Sequence, residues 1–305
     1  DVCSSDLTVS ISSLFGDSAL SLADVSVAQT ISGTSQNAVG TTLTVSLGGK
    51  NYLTTIAADG SWLVSIPKAD LSALADGSQS VSVALTNAAG KVATIASAVD
   101  VITHNLPTIS LTSLFGNDGY LNISEAASGQ VIGGKIGGVV SGSTVVVTLG
   151  GTQLNAVVDS SGNWTATVNK SLLQGLANGS TTVGISVTDR VGNTTSTSTD
   201  VQVKFTQPTL SMTPLTNLVG LLLNVVLGLV SSVKLTISGT STNLDQGSIV
   251  HLNLVNLATS TAVVGSDGKW SAQLDVGLDL AKILSLSTII NLYAADVAGN
   301  VGYLN

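Results

Sequence analysis

Most of what builds an active site is scarce in this chain. Its 305 residues include one cysteine, two histidines, four prolines, three tryptophans, four tyrosines and three phenylalanines, and only 9% of them are charged. A single cysteine, Cys3, excludes an intrachain disulfide and a thiolate metal cluster. With only His104 and His251, neither a histidine-based triad nor a multi-histidine zinc site can be assembled. Lys and Arg total 10 against 18 Asp and Glu, and no basic run occurs. A surface that neutralises phosphates is therefore missing, which excludes nucleic acid as a partner. No glycine-rich phosphate loop follows a strand and opens a helix, so nucleotide binding has no support. Gly16-Asp17-Ser18 has the look of a hydrolase nucleophile block, and His104 lies shortly after Asp100. That family needs an α/β sheet and a separately spaced Asp and His late in the chain, and neither pattern is present.

No basic segment followed by an uninterrupted apolar core opens the chain, so its first residues say nothing about export. Asp1-Val-Cys-Ser-Ser-Asp-Leu7 fits neither a signal peptide nor the pattern that follows. It resembles translated adapter read-through, which makes residues 1–7 a non-native leader. The most apolar stretch, Leu218 to Val233, contains Asn224 and spans about 16 residues, short of the roughly 20 that cross a bilayer. It is expected to be buried.

What the chain does have is 44% hydrophobic residues, enough to build cores and to exclude disorder. Gly-Ser-Trp62, Gly-Asn-Trp164 and Gly-Lys-Trp270 recur with a period of roughly 100 residues. The same offset relates Ile31-Ser-Gly-Thr-Ser35, Val131-Ile-Gly-Gly-Lys135 and Ile237-Ser-Gly-Thr-Ser241. It also relates Asn87-Ala-Ala-Gly-Lys91, Asp189-Arg-Val-Gly-Asn193 and Asp296-Val-Ala-Gly-Asn300. Independent anchors sharing one period define three repeats, placed at 8–104, 105–206 and 207–305.

Within a repeat, Val, Ile and Thr alternate with period two, the pattern of a half-buried strand. The second repeat reads as strands at 108–114, 129–136, 143–149, 152–158, 163–168, 181–188 and 194–204, with a helical turn near Lys170 to Leu176. Gly48-Gly49 and Gly150-Gly151 sit where a tight hairpin demands positive φ. Seven strands in about 100 residues is the count of an immunoglobulin-like sandwich, with the recurrent Trp filling its core. The linkers Thr103–Pro107 and Phe205–Pro208 are short and end in proline, so the fold class expected is all-β, with tandem immunoglobulin-like β-sandwiches in an extended rod.

The turn-plus-Trp block, the Asp-x-x-Gly-Asn block and Asn117-Asp-Gly-Tyr-Leu-Asn-Ile-Ser-Glu-Ala126 resemble the bacterial Ig-like tandem repeats of giant Gram-negative, biofilm-associated, type I-secreted adhesins. The resemblance covers essentially residues 8 to 305. It implies an extracellular, non-enzymatic stalk at the cell surface, whose partners are the neighbouring repeats and, through the parent protein, other cells or abiotic surfaces. It also implies Ca2+ at the junctions between repeats. In such a sandwich the loop between the last two strands lies at the pole where the chain comes in. Asp189 then faces Asp17, Asp76 and Asp100 of the first repeat, and Asp296 faces Asp118, Glu125 and Asp200 of the second. Crowded carboxylates would repel without a cation, and calcium takes six to eight oxygens. The other reading of these acids is as ordinary turn residues. The first repeat departs from the pattern with Asn87, and the third lacks counterparts of Asp118 and Glu125. Two alternatives to a stalk stay open. One is a glycan- or surface-binding module, which an exposed aromatic row would favour. The other is an accessory array of a secreted enzyme.

Overall fold

The computed structural model describes residues 6–138, 141–214, 232–254, 258–277 and 290–304. Cys3 lies outside them, and so does the Leu218–Val233 stretch up to residue 231.

The first block of strands comprises β1 (Thr8–Leu14), β2 (Ala19–Leu20), β3 (Gln29–Gln36), β4 (Thr42–Leu47), β5 (Lys50–Thr55), β6 (Ser61–Ile66), β7 (Gly77–Thr86) and β8 (Val92–Val101). They form two sheets, β1-β3-β6 and β2-β8-β7-β4-β5. The second block contains β9 (Thr108–Ser113), β10 (Tyr120–Asn122), β11 (Gln130–Gly137), β12 (Thr144–Leu149), β13 (Thr152–Asn155), β14 (Val157–Val158), β15 (Asn163–Val168), β16 (Gly179–Thr188) and β17 (Thr194–Lys204). Its sheets run β14-β15-β11-β9 and β10-β17-β16-β12-β13. The third contains β18 (Thr209–Met212), β19 (Ser232–Thr242), β20 (Ile249–Leu254), β21 (Ala258–Val263), β22 (Lys269–Gly277), β23 (Ile290–Ala295) and β24 (Val301–Tyr303), in sheets β18-β19-β22 and β21-β20-β23-β24. The fold is an all-β series of immunoglobulin-like sandwiches.

Alternation sets the layers. In β12, Val145, Val147 and Leu149 are buried while Thr144 is exposed. Each such apolar side chain taken from water contributes about 1.5–3 kcal/mol. Three separate cores result, around Leu43 and Val81, around Val147 and Ile185, and around Leu252 and Leu292. Trp62, Trp164 and Trp270 are buried in them, and their indole N–H groups donate to the carbonyls of Thr34, Ser110 and Thr240. Each indole lies over a glycine, Gly33, Gly134 or Gly239, where a Cβ would overlap the ring and the opposite strand's carbonyl. The strand pattern demands glycine there because the ring and the backbone occupy the same layer.

Two details differ from the sequence expectation. Residues 152–158 form two strands, β13 staying with β12 and β14 pairing with β15, so the chain changes sheets at Ala156. The three-residue β10, parallel to β17, is too short to show a periodicity. The turn near Lys170 is the helix Lys170–Gln174, capped by the Asn169 side chain.

Candidate functional site

The functional geometry lies where one block meets the next. Asp189 and Asp296 each begin a tight loop between the last two strands of their block. Asp189 Oδ1 accepts from the backbone N–H of Val191 (3.0 Å) and Asn193 (2.9 Å), and Asp296 Oδ1 accepts from Ala298 (3.0 Å) and Asn300 (2.9 Å). This is the local reason for an Asp at the first position: its carboxylate caps the turn. Asn87 makes the same turn in the first block, accepting from Ala89 (3.0 Å) and Lys91 (3.1 Å).

The fifth residue of the loop reaches across. Asn193 donates through Nδ2 to the carbonyl of Ile102 (2.8 Å) and to Asp189 Oδ2 (2.8 Å), and its Oδ1 accepts from the N–H of Leu22 (2.8 Å). Asn300 repeats this arrangement, donating to the carbonyl of Lys204 (2.8 Å) and to Asp296 Oδ2 (3.0 Å) and accepting from the N–H of Ile123 (2.8 Å). Ile123 opens the short helix Ile123–Ala126, whose first N–H has no partner inside the helix, so the junction supplies one. Asn122 adds a bond to the carbonyl of Ala298 (2.8 Å). Among the described residues no buried side-chain polar atom lacks a partner.

A protein cation sits beside each loop. At the first junction the Arg190 guanidinium grips Asp100 with two bonds, one of them Nη2 to Oδ1 at 2.8 Å. At the second, Lys204 Nζ lies 2.7 Å from Asp245 and 3.5 Å from the fully buried carboxyl of Asp296. Burial alone would lower the Lys204 pKa, but the bonds and charges of Asp245 and Asp296 outweigh it and raise it. The Lys204 ammonium in turn lowers Asp245.

The remaining sequence candidates have separate local duties. Asp76 accepts from the backbone N–H groups of Thr103 (2.8 Å), His104 (3.1 Å) and Asn105 (2.6 Å), fixing the first linker. Asp17 accepts from Ala19 N (3.0 Å) and Asp118 from Tyr120 N (2.9 Å). Glu125 and Asn122 form a reciprocal helix cap. Burial raises the Glu125 pKa, the N–H of Asn122 opposes the rise, and the nearby charge of Asp118 adds to it. Asp200 accepts from Thr182 Oγ1 (2.6 Å) on an exposed sheet face. Among the described residues, no three of His, Cys, Asp and Glu gather where a metal ion could be held. No helix of the described residues is long and apolar enough to cross a membrane.

The residues that the sequence reading missed are Asn193, Asn300, Arg190, Lys204 and Asp245. The first two carried a signal, since both end the same recurrent five-residue block. Asp245 had none, because it lies outside every repeated motif.

No family model matches the chain, and no curated protein matches it. Solved structures do. A 1.5-MDa bacterial ice-binding adhesin, solved for its host cell surface retention, is 26% identical over 98% of this chain and 96% of that one, with a TM-score of 0.42. A Ca2+-stabilized adhesin of an Antarctic bacterium is 25% identical over 98% of this chain and 74% of that one, with a TM-score of 0.41. A tetra-tandem repeat from the extending region of a large adhesion protein is 24% identical over 98% of this chain and 72% of that one, with a TM-score of 0.32.

Proposed function

We propose that this chain is a stalk segment of a bacterial surface adhesin, acting outside the cell in adhesion and biofilm formation and carrying no catalysis. Its repeats run 8–104, 105–206 and 207–305. The observation that carries the reading is the repetition of one bridge at both junctions. Asn193 and Asn300 each hold one N–H and one C=O of the preceding repeat. The two junctions lie at opposite ends of the β16–β17 hairpin, whose ten paired residues span roughly 30 Å. A repeat that grips its predecessor at one end and is gripped at the other extends the array along a single direction, and short proline-ended linkers suit the same purpose.

Calcium at the junctions belongs to this reading, and the two junctions suit it unequally. At the first, Arg190 already neutralises Asp100, and Asp76 and Asp189 are occupied by N–H donors. At the second, Asp118 and Glu125 also accept backbone N–H groups, from Tyr120 and Asn122, but the charge of Asp118 bears on Glu125 beside the bridge, and a divalent cation would relieve that repulsion. Asp118 and Glu125 are the residues that would hold it, and its contribution would be charge neutralisation and stiffness.

Small-angle scattering of the chain, with calcium and with chelator, tests the proposal. A stalk predicts an elongated particle with a narrow distribution of lengths in both conditions, and calcium at the second junction predicts further stiffening and a raised melting midpoint. A compact particle, or one whose repeats sample many angles, would overturn the stalk. An elongated particle indifferent to calcium would leave Asp118 and Glu125 as turn and cap residues.

A further inference from the structure

The third repeat carries a surface that the other two lack. On the outer face of its larger sheet, His251, Tyr293 and Tyr303 are directly opposite one another on the adjacent strands β20, β23 and β24. The same cross-strand row in the first repeat is Thr44, Ala84 and Thr94, and in the second it is Val146, Ser186 and Ser196. All three positions have changed from small or aliphatic side chains to rings. Aromatic residues make up only 3% of the chain. Among those described, Tyr293 at 43% and Tyr303 at 62% are the exposed ones, and both fall in this row. His251 stacks on Tyr293 with ring centroids 4.8 Å apart and planes 13° from parallel, which holds the Tyr293 ring in place.

The surroundings select the chemistry of a partner. Thr261 continues the row on β21, and Asn253 and Asn291 face each other in the next row of the same face. These side chains offer amide and hydroxyl groups that can both donate and accept. No outward-facing position of β20, β21, β23 or β24 carries Asp, Glu, Lys or Arg, although the chain as a whole has a net charge of −8. An anionic or cationic partner has nothing to pair with on this face. Rings with exposed surface, beside neutral groups of both hydrogen-bonding signs, match a neutral sugar, which presents C–H faces and hydroxyl edges. Two inter-strand steps make the row about 10 Å long, enough to run beneath more than one sugar ring.

We propose that the His251–Tyr293–Tyr303 face of the third repeat binds neutral polysaccharide. Cross-strand ring pairs also stabilise a sheet, but that role is served by burying the rings and does not require Tyr303 to stand in solvent. The inference is independent of the stalk reading, since a stalk with no such face would still reach and stiffen.

The test is affinity electrophoresis of the whole chain through native gels containing dextran, galactomannan or hydroxyethylcellulose, with alginate as the anionic comparison. Migration slows in at least one neutral polymer and not in alginate alone. Tyr293→Ala and Tyr303→Ala each weaken that binding about tenfold, as losing one ring contact should. Tyr52→Phe, in the first repeat, leaves it unchanged. Circular dichroism and Trp270 fluorescence check that the variants stay folded, and Tyr303→Phe, which keeps the ring, retains most of the binding. No retardation by any of the three neutral polymers would overturn the proposal, as would retardation by alginate alone or binding that survives both alanine variants. Concentration-dependent dimerisation abolished by Tyr303→Ala, seen in sedimentation without polysaccharide binding, would assign the face to a second copy of the chain and overturn it equally. Scattering is unaffected by these variants, so failure here is distinguishable from failure of the stalk.

Discussion

Asn193 and Asn300 hold the same place in successive repeats and close the same three side-chain bonds, two to the repeat before and one to the Asp that opens their own loop. One loop thereby performs two tasks. The Asp folds it, and the Asn uses the folded loop as a platform for its neighbour. The two tasks are coupled, because the Asp carboxylate orients the Asn amide through the Nδ2 bond.

Replacing Asn193 with Ala is expected to cost about 1–3 kcal/mol, because Ile102 and Asp189 are buried and each would lose a partner without gaining water. Calorimetry should resolve separate unfolding of the first and second repeats in that variant. Asn300→Ala should do the same at the second junction. A variant with unchanged melting and unchanged scattering would show that the bridges do not couple the repeats.

The protein cations should differ in weight. Arg190 and Asp100 are each about one third exposed, so Arg190→Met should cost about 0–1 kcal/mol and reduce the dependence of stability on salt. Lys204 faces Asp245 and a buried Asp296, so Lys204→Met should cost more, about 1–3 kcal/mol, and be less sensitive to salt. Denaturation at low and high ionic strength measures both, and an equal cost would contradict the burial argument.

The sandwich was legible because its signals are local and repeated. Alternation in Thr144–Leu149, paired glycines at the hairpins and a Trp at a fixed place after a turn each follow from backbone sterics and packing. The pole that carries Asp189 and Asp296 was legible too, since it follows from connectivity. The use made of that pole was not. Sequence reading weighed the charged residues and looked for a metal, whereas the bridging atoms belong to a neutral amide and to backbone groups of Leu22, Ile102, Ile123 and Lys204, which no side-chain pattern advertises. The ring row of the third repeat was hidden for a related reason: His251, Tyr293 and Tyr303 are distant in sequence, and only register makes them neighbours.

Acid should loosen the first linker. Burial would raise the Asp76 pKa, but the N–H groups of Thr103, Asn105 and His104 outweigh it and bring it from 3.8 down to about 2. A carboxyl lowered on folding stabilises the folded state above its unfolded value. That contribution, about 2 kcal/mol, is therefore present at neutral pH and fades as the pH falls from about 4 through 2. Asp76→Asn should remove it at neutral pH and flatten this part of the stability profile. A profile with the same slope as the parent's between those pH values would sink the assignment.

The Trp–Gly pair sets the last expectation. Gly134 lies on β11 opposite Trp164, and a methyl group there would overlap the Ser110 carbonyl on one side and lie 2.8 Å from the indole Nε1 on the other. Neither neighbour can yield without cost, because the carbonyl belongs to β9 and accepts the indole N–H at 3.2 Å. Gly134→Ala should therefore cost more than the roughly 1–3 kcal/mol of ordinary overpacking and should displace β9. Gly184→Ala is the comparison, since the nearest neighbour of the added methyl, a Thr148 side-chain carbon, would sit 3.8 Å away. That substitution should be neutral or slightly stabilising, because a strand glycine loses more chain entropy on folding than alanine. Chemical denaturation of the two variants decides it. Equal stability would mean that the indole and its strand can move, and that the glycine across the strand from each tryptophan is not fixed by packing.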